Sequence, residues 1–253
     1  MTRVAYKHHI ILSSSYSTRT RIGLDIIDDD CGFEDAVSAV RMAYDGKTVP
    51  FSIHMMSSDS ESWESIVRKD PYFDDVRLIP TVEEFVELIR AERYLKGMDV
   101  ARYILSKRKC SHTKLEKLVY LCYADYLCEF KSPLFTDRIY AFKYGPVVET
   151  VYRRYRERPY EIEPHEIEPQ KDTKSRWTKS EPMAIRSRLL FSEDGIQKTY
   201  SIDRTIERYM WMSAEELVEL THRDGAPWTH VERTGWHDQI TDEIIMRYHR
   251  YEV

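Results

Sequence analysis

A chain of 253 residues, 42% hydrophobic and 32% charged, has the composition of an ordinary soluble protein of one or two domains, with enough apolar material for a sizeable core. A net charge of -5 argues against a general nucleic-acid binder, and no run of about 18 apolar residues is present to span a membrane. Four cysteines, Cys31, Cys110, Cys122 and Cys128, in such a length do not make a secreted disulfide framework. A cytoplasmic, reducing setting is the expectation, because the apolar run after Lys7-His8-His9 is short and no small-residue cleavage pattern follows it. The acidic excess is local: residues 1–96 hold 12 Lys and Arg against 17 Asp and Glu, while residues 97–253 hold 26 of each.

The first 96 residues alternate between two periodicities. Residues 4–12, VAYKHHIIL, read as a strand, 33–44 as a helix closed by Asp45-Gly46, and 49–56, VPFSIHMM, as a second strand. Residues 59–69 read as a helix with a polar cap and 74–79 as a third strand. Thr81 and Glu84 then fit a capping box ahead of a helix over 82–95. Such alternation predicts a small α/β domain with at least partly parallel strands. Gly97 suits a helix C-cap and marks the expected boundary, the alternative being one long helix that crosses it.

From Met98 the period becomes helical. Segments 98–108 and 112–130 are expected helices, the second spacing Leu115, Leu118, Val119, Cys122 and Tyr126 three and four apart on a core-facing stripe. Residues 159–182 carry prolines and charges without an apolar period and read as an exposed connection or flap. The Asp194-Gly195 turn signal predicts a strand pair within 186–200. Helices resume over 202–212, over 214–225 behind a Ser213/Glu216 capping box, and over 238–251. The expected whole is α+β: a small α/β domain at residues 1–96, then a mainly helical domain at 97–253 with a short β-hairpin.

Catalytic motifs are sparse. The chain has no Gly-rich phosphate loop, nucleophile elbow or His-Glu-x-x-His, and only 8 glycines. Cys122 and Cys128, with Cys110 and His112 as conceivable co-ligands, would point about 120° apart on one helix, so core cysteines are the better reading. Asp25, Asp28, Asp29, Asp30, Glu34 and Asp35, with His8 and His9, form the one constellation able to offer oxygen ligands to a divalent metal, as a metal-dependent nuclease would. The same acids precede an expected helix, where negative charge is favourable in itself. The expectation is no catalytic residue, no cofactor and no metal, with the acidic cluster as the enzymatic alternative.

Residues 140–155, YAFKYGPVVETVYRRY, are dense in large side chains. Tyr144-Gly145-Pro146 suits a tight turn before a helix, with Pro146 in the first helical position and Phe142, Tyr144 and Trp228 packed around it. The helix that follows would carry Tyr152, Arg153, Arg154 and Arg156 partly outward, a composition expected of an interface anchor, or else a solvated face. His222 and Trp228 form a polar and aromatic pair, His222 being placed to cap a helix end.

Over residues 98–253 the chain resembles the Panacea antitoxin domain, the SocA-like antitoxin family of bacterial and phage toxin–antitoxin pairs. Three blocks carry the resemblance: Lys114, Leu115, Lys117, Leu118 and Tyr120 in TKLEKLVYLCYADYL; Pro133, Leu134, Phe135, Ala141, Tyr144, Gly145, Pro146 and Val147 in SPLFTDRIYAFKYGPVV; and His222, Pro227 and Trp228 in SAEELVELTHRDGAPW. The resemblance implies a mainly helical, non-catalytic domain that binds a cognate protein toxin directly, these motif residues serving the fold. It also implies a second role, that of an adaptor delivering the toxin to a bacterial protease. Residues 1–96 lie outside the motifs, and the resemblance associates such additions with partner choice; their acidity suits a basic toxin. DNA binding through Arg153 and Arg154 has no helix-turn-helix signature behind it, and the sequence does not specify an oligomeric state.

Overall fold

The computed structural model describes residues 5–15, 20–43, 51–157, 161–162, 181–231 and 238–252. The chain forms two compact units, one built mainly from the residues up to Arg93 and the other mainly from Tyr94 onward. The whole is α+β, with a sheet-centred first unit and a mainly helical second.

In the first unit, β1 (Tyr6–Ser15) and β2 (Thr20–Ile27) are followed by α1 (Asp30–Met42), β3 (Phe51–Ser58), α2 (Trp63–Lys69), β4 (Val76–Leu78) and α3 (Val82–Ala91). The sheet order is β3-β1-β2-β4; β1 runs antiparallel to both neighbours and β2 pairs with β4 in parallel. The expected parallel pairing is thus present at one of three interfaces. β1 is an unbroken apolar run because both its faces are covered. Ile10 and Leu12 pack with Ile66, Phe73 and Val76 on one side, while Ile11 packs with Phe33, Val40, Phe85 and Ile89 on the other. β2 is an addition to the expected elements. The Asp45-Gly46 closure lies outside the described residues.

The second unit contains α4 (Gly97–Lys107), α5 (His112–Phe130), β5 (Ile139–Phe142), β6 (Gly145–Val148), α6 (Glu149–Tyr155), α7 (Glu181–Leu190), α8 (Gly195–Tyr209), α9 (Ala214–Thr221), β7 (Asp238–Ile240) and α10 (Asp242–Tyr248). Helix α5 is its axis. Ser111 caps the start by accepting the Lys114 amide, and Lys131 in the left-handed region at φ 56° closes the end just before Ser132-Pro133. From Leu115 to Ala124 every residue is buried, so the helix is covered on all faces rather than along one stripe. Buried tyrosines on it keep a hydrogen-bonded hydroxyl, Tyr120 donating to Glu252 and Tyr123 to Asp242. Strands β6, β5 and β7 form an antiparallel sheet in that order.

Four expectations are corrected. Residues 186–200 are not a strand pair but the end of α7 and the start of α8. Asp194 takes φ 53°, and a Cβ on Gly195 would lie 2.3 Å from the Leu189 and Leu190 carbonyl oxygens, so the Asp-Gly signal marks a reversal between helices. Gly97 opens α4 instead of closing the preceding helix, which ends at Ala91. Pro146 lies in β6, not at a helix start, and α6 begins three residues later at Glu149. Residues 238–240 form a strand that pairs with β5, leaving the last α-helix to start at Asp242 behind a Thr241 cap. Most of the expected flap at 159–182 lies outside the described residues; within it, buried Ile162 bridges to Cys110.

Candidate partner-binding site

Residues from three separate stretches of sequence meet at the β5–β6 hairpin. The reversal passes through Lys143 and Tyr144 into Gly145, whose φ of +100° is rarely adopted by residues with a side chain. A Cβ there would come within 2.7 Å of Thr221 Oγ1, 3.1 Å of Lys117 Cε and 3.2 Å of His222 Cε1, so the hairpin backbone lies directly against α5 and the end of α9. Lys117 is fully enclosed, and its ammonium donates to the Pro146 carbonyl. Trp228 Nε1 donates to the Phe142 carbonyl at 2.8 Å, and the His222 ring stands 3.7 Å from the Trp228 ring. His222 Nδ1 donates to the Val218 carbonyl at 2.7 Å, closing α9. These contacts tie Lys117, Gly145, Pro146, His222 and Trp228 into one centre in which each fixes the position of another.

The remaining motif residues divide by depth. Leu115, Leu118, Tyr120, Leu134, Phe135, Val147 and Pro227 are buried. Ala141 and Lys114 are half-buried, Lys114 donating to the Met210 carbonyl at 2.6 Å. Pro133 is exposed. Tyr144, expected to pack around the turn, is instead 62% exposed at the hairpin tip beside Lys143, because the left-handed Gly145 turns the strand inward and leaves the preceding side chain outside. Burial pushes the Lys117 pKa down to about 8, opposed by the charge of adjacent Glu116, whose own pKa burial pushes up to about 8 against the charge of Lys117.

Helix α6 carries the expected surface. Val151 and Tyr155 face the core, which turns Arg153 and Arg156 to solvent and leaves Tyr152 and Arg154 half-buried. Tyr152 rests edge-on against Phe142 with centroids 4.9 Å apart, and the Arg156 guanidinium lies 5.9 Å from the Tyr152 ring. Arg153 pairs with Glu149 one turn back at 2.5 Å. Such an exposed pair is worth only about 0.3–0.5 kcal/mol, so a partner carboxylate can displace Glu149.

Residues 115–229 match the family model described as antitoxin SocA-like, Panacea domain. This stretch is therefore similar to a Panacea domain. No curated protein and no solved structure matches the chain. The match takes in the hairpin centre and α6 and stops before β7 and α10.

Beyond the match, the C-terminal residues join the second unit through a buried polar chain that sequence reasoning missed. His249 places Nε2 2.8 Å from Asp125 Oδ1 and Nδ1 2.7 Å from Glu252 Oε2; Tyr120 donates to the same Glu252 oxygen at 2.8 Å, and Thr205 donates to Asp125 Oδ2 at 2.7 Å. Both imidazole nitrogens face a carboxyl oxygen, and a doubly protonated ring can donate to each. Burial alone would push the His249 pKa down, but hydrogen bonds to Asp125 and Glu252 and their charges hold it up to about 9. Burial works the other way on Glu252, raising its carboxyl pKa. The signal in the sequence was slight: His249 and Glu252 are three apart, but Asp125 is 124 positions away. An imidazolium held at both nitrogens has no lone pair to take a proton, so it is no general base for Cys128, whose thiol burial pushes above its usual pKa.

In the first unit the acidic cluster is dispersed into local tasks. Asp25 binds buried His8 at 2.7 Å, Asp28 accepts the Lys7 amide, Asp29 caps α1 at the Gly32 amide, and Asp30 reaches His9 at 3.3 Å. Among the described residues no group of three or more His, Cys, Asp or Glu side chains is placed to share a metal ion, and no helix is long and apolar enough to cross a membrane. Cys110 and Cys122 are buried, Cys128 is half-buried and Cys31 is exposed.

Proposed function

We propose that the chain is an antitoxin that neutralises a cognate protein toxin by direct, non-catalytic binding. The observation that carries this reading is the Panacea-domain match over residues 115–229, supported by the convergence of its three motif blocks on one hairpin. Exposed Arg153 and Arg156 with half-buried Tyr152 and Arg154, on α6 and its C-cap, supply the first contact surface, since Tyr and Arg side chains on a helix braced from below bind with little loss of freedom. The acidic first unit supplies partner choice, by repelling acidic surfaces and attracting a basic one.

Co-expression with the product of the reading frame beside its own gene tests this. The expected result is growth arrest by that product alone, rescue by this chain, and recovery of the two as a complex. A neighbouring product without toxicity, or arrest that this chain does not relieve, would contradict it. Rescue with a shortened toxin half-life and no stable complex would replace blocking by adaptor-type delivery to a protease.

A further inference from the structure

In the sheet order β3-β1-β2-β4, strand β3 has a neighbour on one side only. The ladder fixes which of its backbone groups that neighbour uses. The Asp28 amide donates to the Lys7 carbonyl at 2.9 Å, in step with the β1–β2 register, so odd-numbered residues of β1 turn their backbone groups to β2 and even-numbered ones to β3. Tyr6, His8, Ile10 and Leu12 thus face Ser58, Met56, His54 and Ser52, and the amides and carbonyls of Phe51, Ile53, Met55 and Ser57 point away from the sheet. Among the described residues, the Ser57 carbonyl is the outward group with a partner, accepting from Lys69 Nζ at 2.5 Å. The open stretch therefore runs from Phe51 to Met55.

This edge lacks the guards that keep a lone edge apart from other strands. FSIHMMSS contains no charged residue and no proline, and its register with β1 is unbroken by a bulge. The opposite edge, β4, is only three residues long and so offers little to pair with, whereas β3 has eight. Phe51, Ile53 and Met55 also share one face of the strand, with Ile53 42% and Met55 70% exposed.

Backbone groups repeating at strand spacing are satisfied by another strand. The pattern is complementary to itself. In an antiparallel pairing of two copies about Ile53, Ile53 meets Ile53 and Phe51 meets Met55, so apolar side chains join on one face, while Ser52 meets His54 on the other. An uncharged strand can meet its own copy without the repulsion that the acidic excess of residues 1–96 imposes elsewhere. We propose that two copies of the chain pair β3 to β3, antiparallel about a two-fold axis at Ile53, joining their four-stranded sheets into one. This inference stands apart from the antitoxin reading and, joined to it, makes the neutralising particle bivalent.

Sedimentation velocity of the full chain over a concentration series tests it. Wild type is expected to show a monomer–dimer equilibrium. Ile53→Lys and Ile53→Glu put like charges opposite each other at the axis, and each is expected to weaken the dimer about 10-fold, an equimolar mixture of the two recovering it. Met55→Pro removes an outward amide at a mostly exposed position, leaves the ladder to β1 intact, and is expected to weaken the dimer about 10-fold; it decides the matter should the Ile53 variants lower the melting temperature. A wild type that stays monomeric throughout the series would overturn the proposal, as would a dimer that all three variants leave within twofold. A monomeric wild type whose Met55→Pro variant loses binding to the product of the neighbouring reading frame would give the edge to a strand of that partner, and likewise overturn it.

Discussion

His249 holds the last turn of the chain to the centre of the second unit, and its protonation sets how that hold responds to pH. Its folded pKa of about 9 lies above the ordinary 6.5, so its stabilisation is complete below about pH 6.5 and is lost as pH rises through 9. Burial also raises the Glu116 pKa and lowers that of Lys117, so the effect is read as a difference from a variant. Wild type should lose about 2–3 kcal/mol more than His249→Gln between pH 6.5 and 9, as measured by denaturant unfolding at each pH. Equal losses would show that His249 is not charged in the fold. At Gly145 the backbone makes a different demand. Gly145→Ala forces a side chain into a left-handed conformation and to within 2.7 Å of Thr221 Oγ1, and should cost about 2–3 kcal/mol on the same unfolding curves. A loss below about 0.5 kcal/mol would mean that the hairpin can lift away from α9.

Elements with a clear local period were legible from sequence, and those defined by a distant neighbour were not. The core positions of α5, among them Leu115, Leu118, Val119, Cys122 and Tyr126, follow from spacing alone, but its enclosure on every side depends on helices far along the chain. The Ser213/Glu216 capping box was readable because both of its hydrogen bonds are local. Asp194-Gly195 was misread because a sharp reversal looks alike between strands and between helices, and its partners Leu189 and Leu190 precede it on a helix with a weak apolar pattern. β7 is three residues long and owes its identity to pairing with β5 about 100 positions earlier. For the candidate site, Tyr152 to Arg156 were visible as composition, whereas the contacts of His249 with Asp125 and Glu252 required the C-terminal segment to be folded back on α5. At α6 the double reversal Arg153→Glu with Arg154→Glu should weaken toxin binding at least about 10-fold in a pull-down titration while leaving the melting temperature within a few degrees. Unchanged affinity would reduce α6 to a solvated face.

The molecule joins an acidic α/β unit to a mainly helical unit that holds the Panacea-domain match, and the two differ in what they can contribute. Residues 97–253 are charge-balanced, with a cluster of arginines at and just after α6, while the net negative charge belongs to residues 1–96. Buried side chains in the second unit hold its structure, Lys117 the hairpin and His249 the C-terminal turn; in the first unit Asp25 binds His8, Asp28 accepts the Lys7 amide and Asp29 caps α1. Neutralisation by binding has a signature that catalysis lacks, because each toxin molecule must remain occupied. The most direct test is titration of a fixed amount of the neighbouring gene's toxin with this chain, scoring residual toxin activity after equilibration. Direct binding predicts a linear fall to zero at a fixed molar ratio, independent of incubation time. Complete loss of toxin activity at a small fraction of that ratio, growing with time, would contradict it and show that the chain modifies its partner.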